Sequence, residues 1–191
     1  MADATAFCLK GPASILYGPA GGEIEFGKTA ETPVIVRIRE EVSPIHFHQT
    51  GTNLWAAITV GKTMEVEASF ANLSWQLFMN AMPTEAFLCD SVTTPTAAEG
   101  DQSLEFLVGL GTSHRDQAQR LIVQPWWNGA PDTNNETWFV FPLAYPRVDA
   151  EINHDYESQQ VLHVVFEIFP LSQDCPRLMF MGSEEFLCAC D

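Results

Sequence analysis

The chain has 191 residues, of which 25 are acidic and 9 are basic, with a formal net charge of -16 at pH 7 and 46% hydrophobic residues. This length and apolar fraction are typical of a single domain, 1–191, that buries a core without depending on disulfides or a structural metal. The acidic excess disfavours proteins that grip nucleic acid or an anionic membrane, because both partners require clustered Lys and Arg.

The cysteine usage and the N-terminal sequence indicate synthesis in a reducing cytosol. The five cysteines are odd in number, and the N-terminus has no basic region followed by an apolar run. No stretch approaches 18 consecutive apolar residues, so the sequence predicts no membrane-spanning helix.

The first predicted elements are an N-terminal arm, 1–31, with a glycine-rich turn at Gly18 to Gly22, and a strand from Thr32 to Glu40. In this strand the residues predicted to face the core are Val34, Val36 and Ile38. The residues predicted to face outward are Ile35, Arg37 and Arg39. This alternation is typical of a half-buried strand.

A second strand of the same type is predicted from Thr63 to Phe70. Its inward set is Met64, Val66, Ala68 and Phe70, and its outward set is Thr63, Glu65, Glu67 and Ser69. If the two strands are antiparallel arms with a tip near Gly51-Thr52, Arg37 lies opposite Glu67 and Arg39 lies opposite Glu65. The resulting opposite charges would favour this register.

The segment that joins these strands, Glu41 to Lys62, is too long for a tight turn and is predicted to be an extended hairpin or loop that reaches away from the core. Its large apolar residues are Ile45, Phe47, Leu54, Trp55 and Ile58. A monomer would expose this surface to water, so we expect a partner to cover it.

The only predicted helix runs from Asn72, a good N-cap, to Met82 and is ended by Pro83. The remaining predicted strands are Ser103 to Leu110, Gln119 to Pro125, Thr137 to Ala144, Val148 to Asn153, Gln160 to Pro170 and Arg177 to Gly182. This pattern predicts a mainly β fold, an antiparallel β-sandwich or barrel with one flanking α-helix and a long protruding hairpin.

Metal binding is the first chemical function to consider, because His46 and His48 lie on the same side of an extended segment. With a third ligand such as His163 they would resemble the metal site of cupin barrels. The carboxylate that such a site needs does not follow, since Gln49 to Thr52 come next. The sequence therefore predicts neither a metal site nor a cofactor.

Catalytic motifs are also missing from the sequence. No G-x-S-x-G is present, the glycines near Gly21 lack the Lys of a phosphate loop, and the scattered pairs of Glu are typical of a solvated face. No enzymatic activity and no catalytic residue are predicted. Trp126 and Trp127 are interpreted as packing residues, with sugar stacking as the alternative, and 183–191 as a C-terminal tail that carries Cys188 and Cys190.

The chain resembles the tail tube proteins, or major tail proteins, of tailed bacteriophages. The similarity lies in the order of elements: Gly22 to Gly27, the stretch Thr32 to Glu67 with its long hairpin, and the phrase from Val66 to Ser74. A single helix and the closing strands Val161 to Pro170 and Arg177 to Gly182 follow. These features span most of the chain.

This resemblance implies a virion structural protein that forms sixfold rings, stacked into a hollow tube through which the genome passes. The type VI secretion tube proteins share this architecture. By the resemblance, Arg37, Arg39, Glu65 and Glu67 lie on strands that line the bore, and Glu41 to Lys62 contacts the neighbouring ring or subunit. The implied partners are identical copies, the tail terminator, the distal tail protein and a sheath.

Further expectations follow from the same resemblance. Viral DNA would make transient contact with an acidic bore without sticking to it, no membrane would be bound, and assembly would take place in the bacterial host cytoplasm. Two alternatives remain: another tail component of the same fold, such as a terminator or distal tail protein, and a cupin-like barrel with His46, His48 and His163 as ligands.

Overall fold

The computed structural model describes residues 5–8, 12–29, 33–45, 56–71, 81–82, 86–90, 102–106, 111, 113–149 and 161–182. The strands are β1 (Thr5–Cys8), β2 (Ala13–Gly18), β3 (Ile24–Lys28), β4 (Ile35–Ile45), β5 (Ala56–Phe70), β6 (Ala86–Asp90), β7 (Gln102–Phe106), β8 (Gln119–Trp127), β9 (Ala130–Pro131), β10 (Phe139–Asp149), β11 (Leu162–Phe169) and β12 (Phe180–Met181). A short helix, α1 (His114–Gln117), and a 3₁₀ turn, Asn135–Thr137, complete the described elements.

Most of these strands form one large antiparallel sheet in the order β1-β4-β5-β11-β10-β8-β2-β3. Two short strands extend it, because β12 pairs with β10 and β9 pairs with β8, while β6 and β7 pair separately. The sheet is open, and the predicted mainly antiparallel β fold with a long hairpin is confirmed.

The sheet curls around its apolar face, and this curvature creates the core. Phe26 on β3 lies with its ring centroid 5.0 Å from that of Phe70 on β5, although four strands separate these two in the sheet order. A single β-bridge between Thr29 and Phe70 joins the same two regions. Flat strands about 4.8 Å apart could not bring these rings together, so the sheet must be strongly rolled.

Aromatic rings fill the centre of the rolled sheet. Phe166 on β11 contacts both Tyr17 and Phe26, with ring centroids 5.8 and 5.2 Å apart. The Tyr17 hydroxyl donates a hydrogen bond to the carbonyl oxygen of Ala144 at 3.2 Å, and burial raises the pKa of this phenol well above its usual range. The hydroxyl of Tyr17, at the centre of this aromatic cluster, therefore has a hydrogen-bond acceptor.

The predicted faces of the two hairpin strands are confirmed. Val34, Val36, Val66 and Phe70 are at most 2% exposed, whereas the outward residues of both strands are partly or fully exposed. The strands extend past their predicted ends, so that β4 and β5 pair from Ile35↔Glu67 to Ile45↔Ala56. The long hairpin is thus observed, and the part from 46 to 55, which includes the predicted tip, lies outside the described residues.

The predicted register of this hairpin is wrong by two residues. Arg37 lies opposite Glu65 and Arg39 lies opposite Thr63, with a bulge between Glu41 and Val42 that leaves Val60 without a partner. The bulge does not cause this error, because the pairing beyond it, Ile45↔Ala56, departs further from the assumed tip; register cannot be extrapolated from an assumed tip. Because side chains alternate between the two faces of a strand, an error of two residues leaves each side chain on its predicted face.

The predicted strands Thr137 to Ala144 and Val148 to Asn153 are one strand, β10. This strand contains two prolines, Pro142 and Pro146. Pro142 lies within the β8–β10 register shift, and Pro146 lies beyond Ala144, the last residue of β10 that is paired with β8. A proline lacks the N–H that a ladder bond requires, and neither proline is paired with β8, although Pro146 lies opposite Phe166 of β11.

The other predicted elements have mixed outcomes. Strands β8 and β11 match Gln119 to Pro125 and Gln160 to Pro170, β7 covers the first part of Ser103 to Leu110, and only β12 forms within Arg177 to Gly182. The sequence analysis missed β1, β2, β3 and β6. Of the predicted helix, Asn72 to Met82, all but the last two residues lie outside the described residues; Ala81 is helical and 1% exposed.

Two further observations concern membranes and cysteines. Within the described ranges, no helix is long and apolar enough to cross a membrane. Cys175 is disulfide-bonded, which differs from the reduced thiols expected of a protein made in the cytosol.

Replacing Phe166 by Ala is expected to lower the free energy of unfolding by about 3–5 kcal/mol, because it removes the ring that joins β11 to β2 and β3. Urea unfolding followed by tryptophan fluorescence measures this change. Val165→Ala on the opposite face is the control, with an expected loss of less than about 1.5 kcal/mol. Equal losses for both variants would contradict the assignment of the core.

Candidate functional site

The structure brings together the four charged residues that the sequence analysis assigned to the hairpin. Arg37 pairs with Glu67, and the Arg39 Nη2 lies 3.7 Å from the Glu65 Oε2. Both pairs are diagonal across the ladder, which long side chains can bridge. The predicted ion pairs are therefore present although the predicted register is not.

These pairs belong to a larger charged surface that the sequence analysis missed. Glu167 on β11 lies directly opposite Glu65 on β5. Its carboxylate is 2.8 Å from the Arg147 Nη1 and 3.0 Å from the His114 Nδ1. The alternation in β11 could have placed Glu167 on the outer face. The residues that it contacts on other strands depend on the strand order, which no local sequence pattern reveals.

We call this surface the root patch: Arg37, Arg39, Glu65, Glu67, Arg147 and Glu167. Two carboxylates directly opposite each other repel, and the arginines on both sides of the Glu65–Glu167 pair offset that repulsion. Each arginine of the patch has a carboxylate partner. The root patch is therefore balanced in charge, and the excess acid of the chain lies outside it.

Helix α1 covers the outer face of β10 beside the root patch. The His114 ring stacks on Tyr145 with centroids 4.2 Å apart, and the Arg115 Nη2 donates to the carbonyl oxygen of Pro170 at 3.2 Å. Ser113 caps the helix, since its side chain accepts a hydrogen bond from the Asp116 N–H. These contacts attach the helix to the sheet at the base of the hairpin.

Beyond the root patch the hairpin continues as a two-stranded ribbon, which we call the distal ribbon and define as 42–45 paired with 56–60. Among the described residues, β1 pairs only with Ile35 to Ile38 of β4, and β11 pairs only with Met64 to Phe70 of β5. Neither edge of the distal ribbon therefore has a described strand partner.

Both faces of the distal ribbon are open to solvent. Val42, Ile58 and Val60 are 39%, 57% and 64% exposed, and the side chains of Ser43, Ala57 and Thr59 are exposed as well. A two-stranded hairpin without further packing is marginally stable in water. The distal ribbon thus combines unpaired edges with exposed apolar side chains.

The distal ribbon also lacks charge. From Val42 to Gly61 the sequence contains no Asp, Glu, Lys or Arg, although 18% of the whole chain is charged. The charged residues Glu40, Glu41 and Lys62 mark its boundary with the root patch. In a chain of net charge -16, this is a surface on which another copy could lie without facing like charges.

Of the five apolar residues assigned to the hairpin contact, the structure describes two. Ile58 lies on β5 and is exposed, and the backbone of Ile45 pairs with that of Ala56 at the end of β4. Phe47, Leu54 and Trp55 lie outside the described residues, so their assignment stays a prediction.

The alternative histidine site gains no support from the described residues. His163 on β11 contacts the Ser69 hydroxyl, with 3.2 Å between Nδ1 and Oγ, while His46 and His48 lie outside the described ranges. In the part of the chain that the structure describes, no group of three His, Cys, Asp or Glu could hold a metal ion.

The tryptophan pair divides into one packed and one exposed ring. The Trp126 indole N–H donates to the Ser14 hydroxyl at 2.9 Å, which fixes that ring against β2. Trp127 is 73% exposed beside a tight turn in which Asn128 and Gly129 both have positive φ. The packing interpretation therefore holds for Trp126.

No protein-family model matches the chain, and no curated protein matches it.

A double-mutant cycle of Arg37→Gln and Glu67→Gln is expected to give a coupling energy of about 0.5–1 kcal/mol, because the pair is only partly exposed. The matched cycle of Arg39→Gln and Glu65→Gln should give a smaller value, since that pair is longer and more exposed. Both couplings should decrease in 1 M salt. Equal couplings that do not respond to salt would contradict this description of the root patch.

Proposed function

We propose that this protein is a virion structural protein, the tail tube protein of a bacteriophage, which forms hexameric rings that stack into an acidic channel for genome passage into the host. It binds copies of itself and the other tail proteins, and it assembles in the host cytoplasm. It carries out no catalysis and requires no cofactor.

The observation that carries this proposal is the distal ribbon. Its edges have no partner among the described strands, and its exposed Val42, Ile58 and Val60 need a covering surface. The absence of charge suits a second copy of an acidic chain. When such a ribbon pairs with a strand of a neighbouring copy, the same contact is repeated around a ring and between rings.

The rolled antiparallel sheet supports the finer fold, a tail tube-like β-sandwich or barrel with a flanking helix. The bridge between Thr29 and Phe70 brings the β3 end of the sheet to β5, so that strands enclose the aromatic core. The long β4–β5 hairpin projects from this body, as the resemblance to tail tube proteins implies.

The root patch supports the assignment of the bore-lining strands. A channel for DNA must not bind phosphates tightly, and Arg37, Arg39 and Arg147 each have a carboxylate partner. The lining formed by these pairs is neutral, and the excess acid of six chains of net charge -16 surrounds it in the ring, which disfavours tight binding of DNA.

Electron microscopy of the purified protein tests the proposal and separates it from its rivals. Long hollow filaments are the expected result. Closed rings that do not stack would instead favour a terminator or distal tail protein of the same fold. Small dispersed particles with bound metal would overturn the proposal in favour of the histidine-ligated barrel.

Replacing Glu65 and Glu67 together by Lys is expected to leave tube assembly intact and to slow DNA ejection, because unpaired cations then face the phosphates. The rate of ejection from virions carrying the variant measures this, and Glu65→Gln with Glu67→Gln, which removes the carboxylate partners of Arg37 and Arg39 but adds no further cation, should slow ejection less. Unchanged ejection through well-formed tubes would count against the assignment of these strands to the bore.

Ile58→Glu and Val60→Glu are each expected to prevent stacking, because they place a charge on the distal ribbon. Deleting Gly51 to Trp55 should have the same effect. Met181→Glu, which charges an equally exposed apolar residue elsewhere, is the matched control and should still form filaments. Circular dichroism checks that each monomer is folded; tubes of normal length from the two ribbon variants would refute this role.

A further inference from the structure

The hairpin of β8 and β9 carries the most exposed large hydrophobic side chain in the described part of the chain. Trp127 is 73% exposed, and the pairing of β8 with β2 ends at Pro125, so the hairpin extends past the end of the sheet. Its base is fixed, because the Trp126 indole N–H donates to the Ser14 hydroxyl at 2.9 Å and the backbone N–H of the same residue donates to the Pro12 carbonyl oxygen at 3.1 Å. Trp127 is therefore an exposed aromatic ring on a firmly held support.

The tip of this hairpin has no charge. From Leu121 to Pro131 the sequence contains no Asp, Glu, Lys or Arg. Asn128 and Gly129 form the turn, both with positive φ. Ala130 lies opposite Trp127, so no large side chain of the facing strand covers the ring. In a chain of net charge -16, this tip is a second place, besides the distal ribbon, where another copy can approach without facing like charges.

A cavity of about 410 Å³ lies at the opposite end of β8, on the outer face of the sheet. The start of β8 and the middle of β10 form its floor, while the turn after β2 and the segment from Leu171 to Phe180 form its walls. Its large apolar lining residues are Pro19, Pro142, Leu143, Leu171 and Phe180. An apolar cavity of about 150 Å³ can hold a benzene ring, so this cavity is large enough for an indole.

The charged groups at this cavity already have partners. The Arg120 Nε lies 3.2 Å from the Glu23 Oε1, and Arg177 has an interaction of its own within the chain. An ionic ligand would have to compete with these contacts, whereas an uncharged aromatic group would not. Gln119, which also lines the cavity, carries an amide oxygen that can accept a hydrogen bond from a buried indole N–H. The cavity therefore fits a neutral aromatic ring.

The strand registers place the Trp127 tip and the distal ribbon at the same end of the sheet. Gln119, at the cavity, and Trp127 are about 27 Å apart along β8 at the usual rise of a strand. Through the pairings of adjacent strands, Gln119 lies in one row with Ala144, Ile168 and Met64. From this row, β8 toward Trp127 and β5 toward the distal ribbon run in the same direction. A copy placed at that end would meet both surfaces.

We propose that Trp127 of one copy inserts into the cavity of the next copy. An exposed ring and a cavity on different surfaces of the same chain make a heterologous contact, which repeats from copy to copy in a ring or in a stack of rings. An aromatic side chain buried in a pocket is typical of the few residues that dominate the affinity of an interface. The inference rests on the proposed self-assembly and adds a second contact to that of the distal ribbon.

Assembly of the full-length protein tests this contact. The protein concentration at which tubes form, measured by sedimentation and electron microscopy, is expected to rise at least about tenfold for Trp127→Ala. Leu143→Trp, which fills the cavity, should have an effect of similar size. Combining the two substitutions should cause little further loss, because both remove the same contact. Met181→Ala, which truncates another exposed apolar residue, is the control and should assemble like the wild type.

Cross-linking identifies the surface that receives the ring. Photoreactive benzoylphenylalanine at position 127 is expected to cross-link to Leu143 or to the segment 171–180, and a mixture of isotope-labelled and unlabelled copies should show that the link joins two chains. The inference is overturned, while the tube function stands, if tubes form normally from Trp127→Ala, if the losses of the two variants add fully, or if the cross-links lie elsewhere. If the wild-type protein forms no assembly, the proposed function fails and this inference fails with it.

Discussion

The structure depends on one constraint: a two-stranded ribbon extends from an acidic body, and no third strand of the described part of the chain pairs with either side of it. Water can form hydrogen bonds with the backbone groups of this ribbon. Exposing the apolar side chains of Val42, Ile58 and Val60 to water is nevertheless unfavourable in free energy. Charge decides what can cover this surface, because two copies of a chain with net charge -16 repel each other wherever acid faces acid. The uncharged distal ribbon is where that repulsion is smallest.

The rest of the fold holds this ribbon in place. Tyr17, Phe26 and Phe166 pack in the centre of the rolled sheet and join β2, β3 and β11, so the strands at the base of the hairpin are fixed from the inside. The root patch fixes the same strands from the outside through paired charges. A firmly held base and an unsupported extension are the combination that repeated self-assembly requires.

The faces of the hairpin strands could be predicted because alternation is a local property, and one buried face makes a slip of one residue costly. The register could not, since it depends on where the chain turns and on the bulge at Val60, and the apolar pattern marks neither. Glu167 was missed for a related reason: its partners Arg147 and His114 come from β10 and α1, which only the strand order brings together. Strand β10 was predicted as two strands, although in the structure the chain continues through Pro146, which lies opposite Phe166 of β11.

The central claim is that the distal ribbon is buried by identical copies. Backbone amide hydrogen exchange on 42–45 and 56–60, measured for the dispersed protein and for the assembled one, tests this most directly. Fast exchange in the dispersed protein and strong protection after assembly are the predicted result. Protection that is already complete in a monodisperse monomer would contradict the account, since the ribbon would then be covered by its own chain.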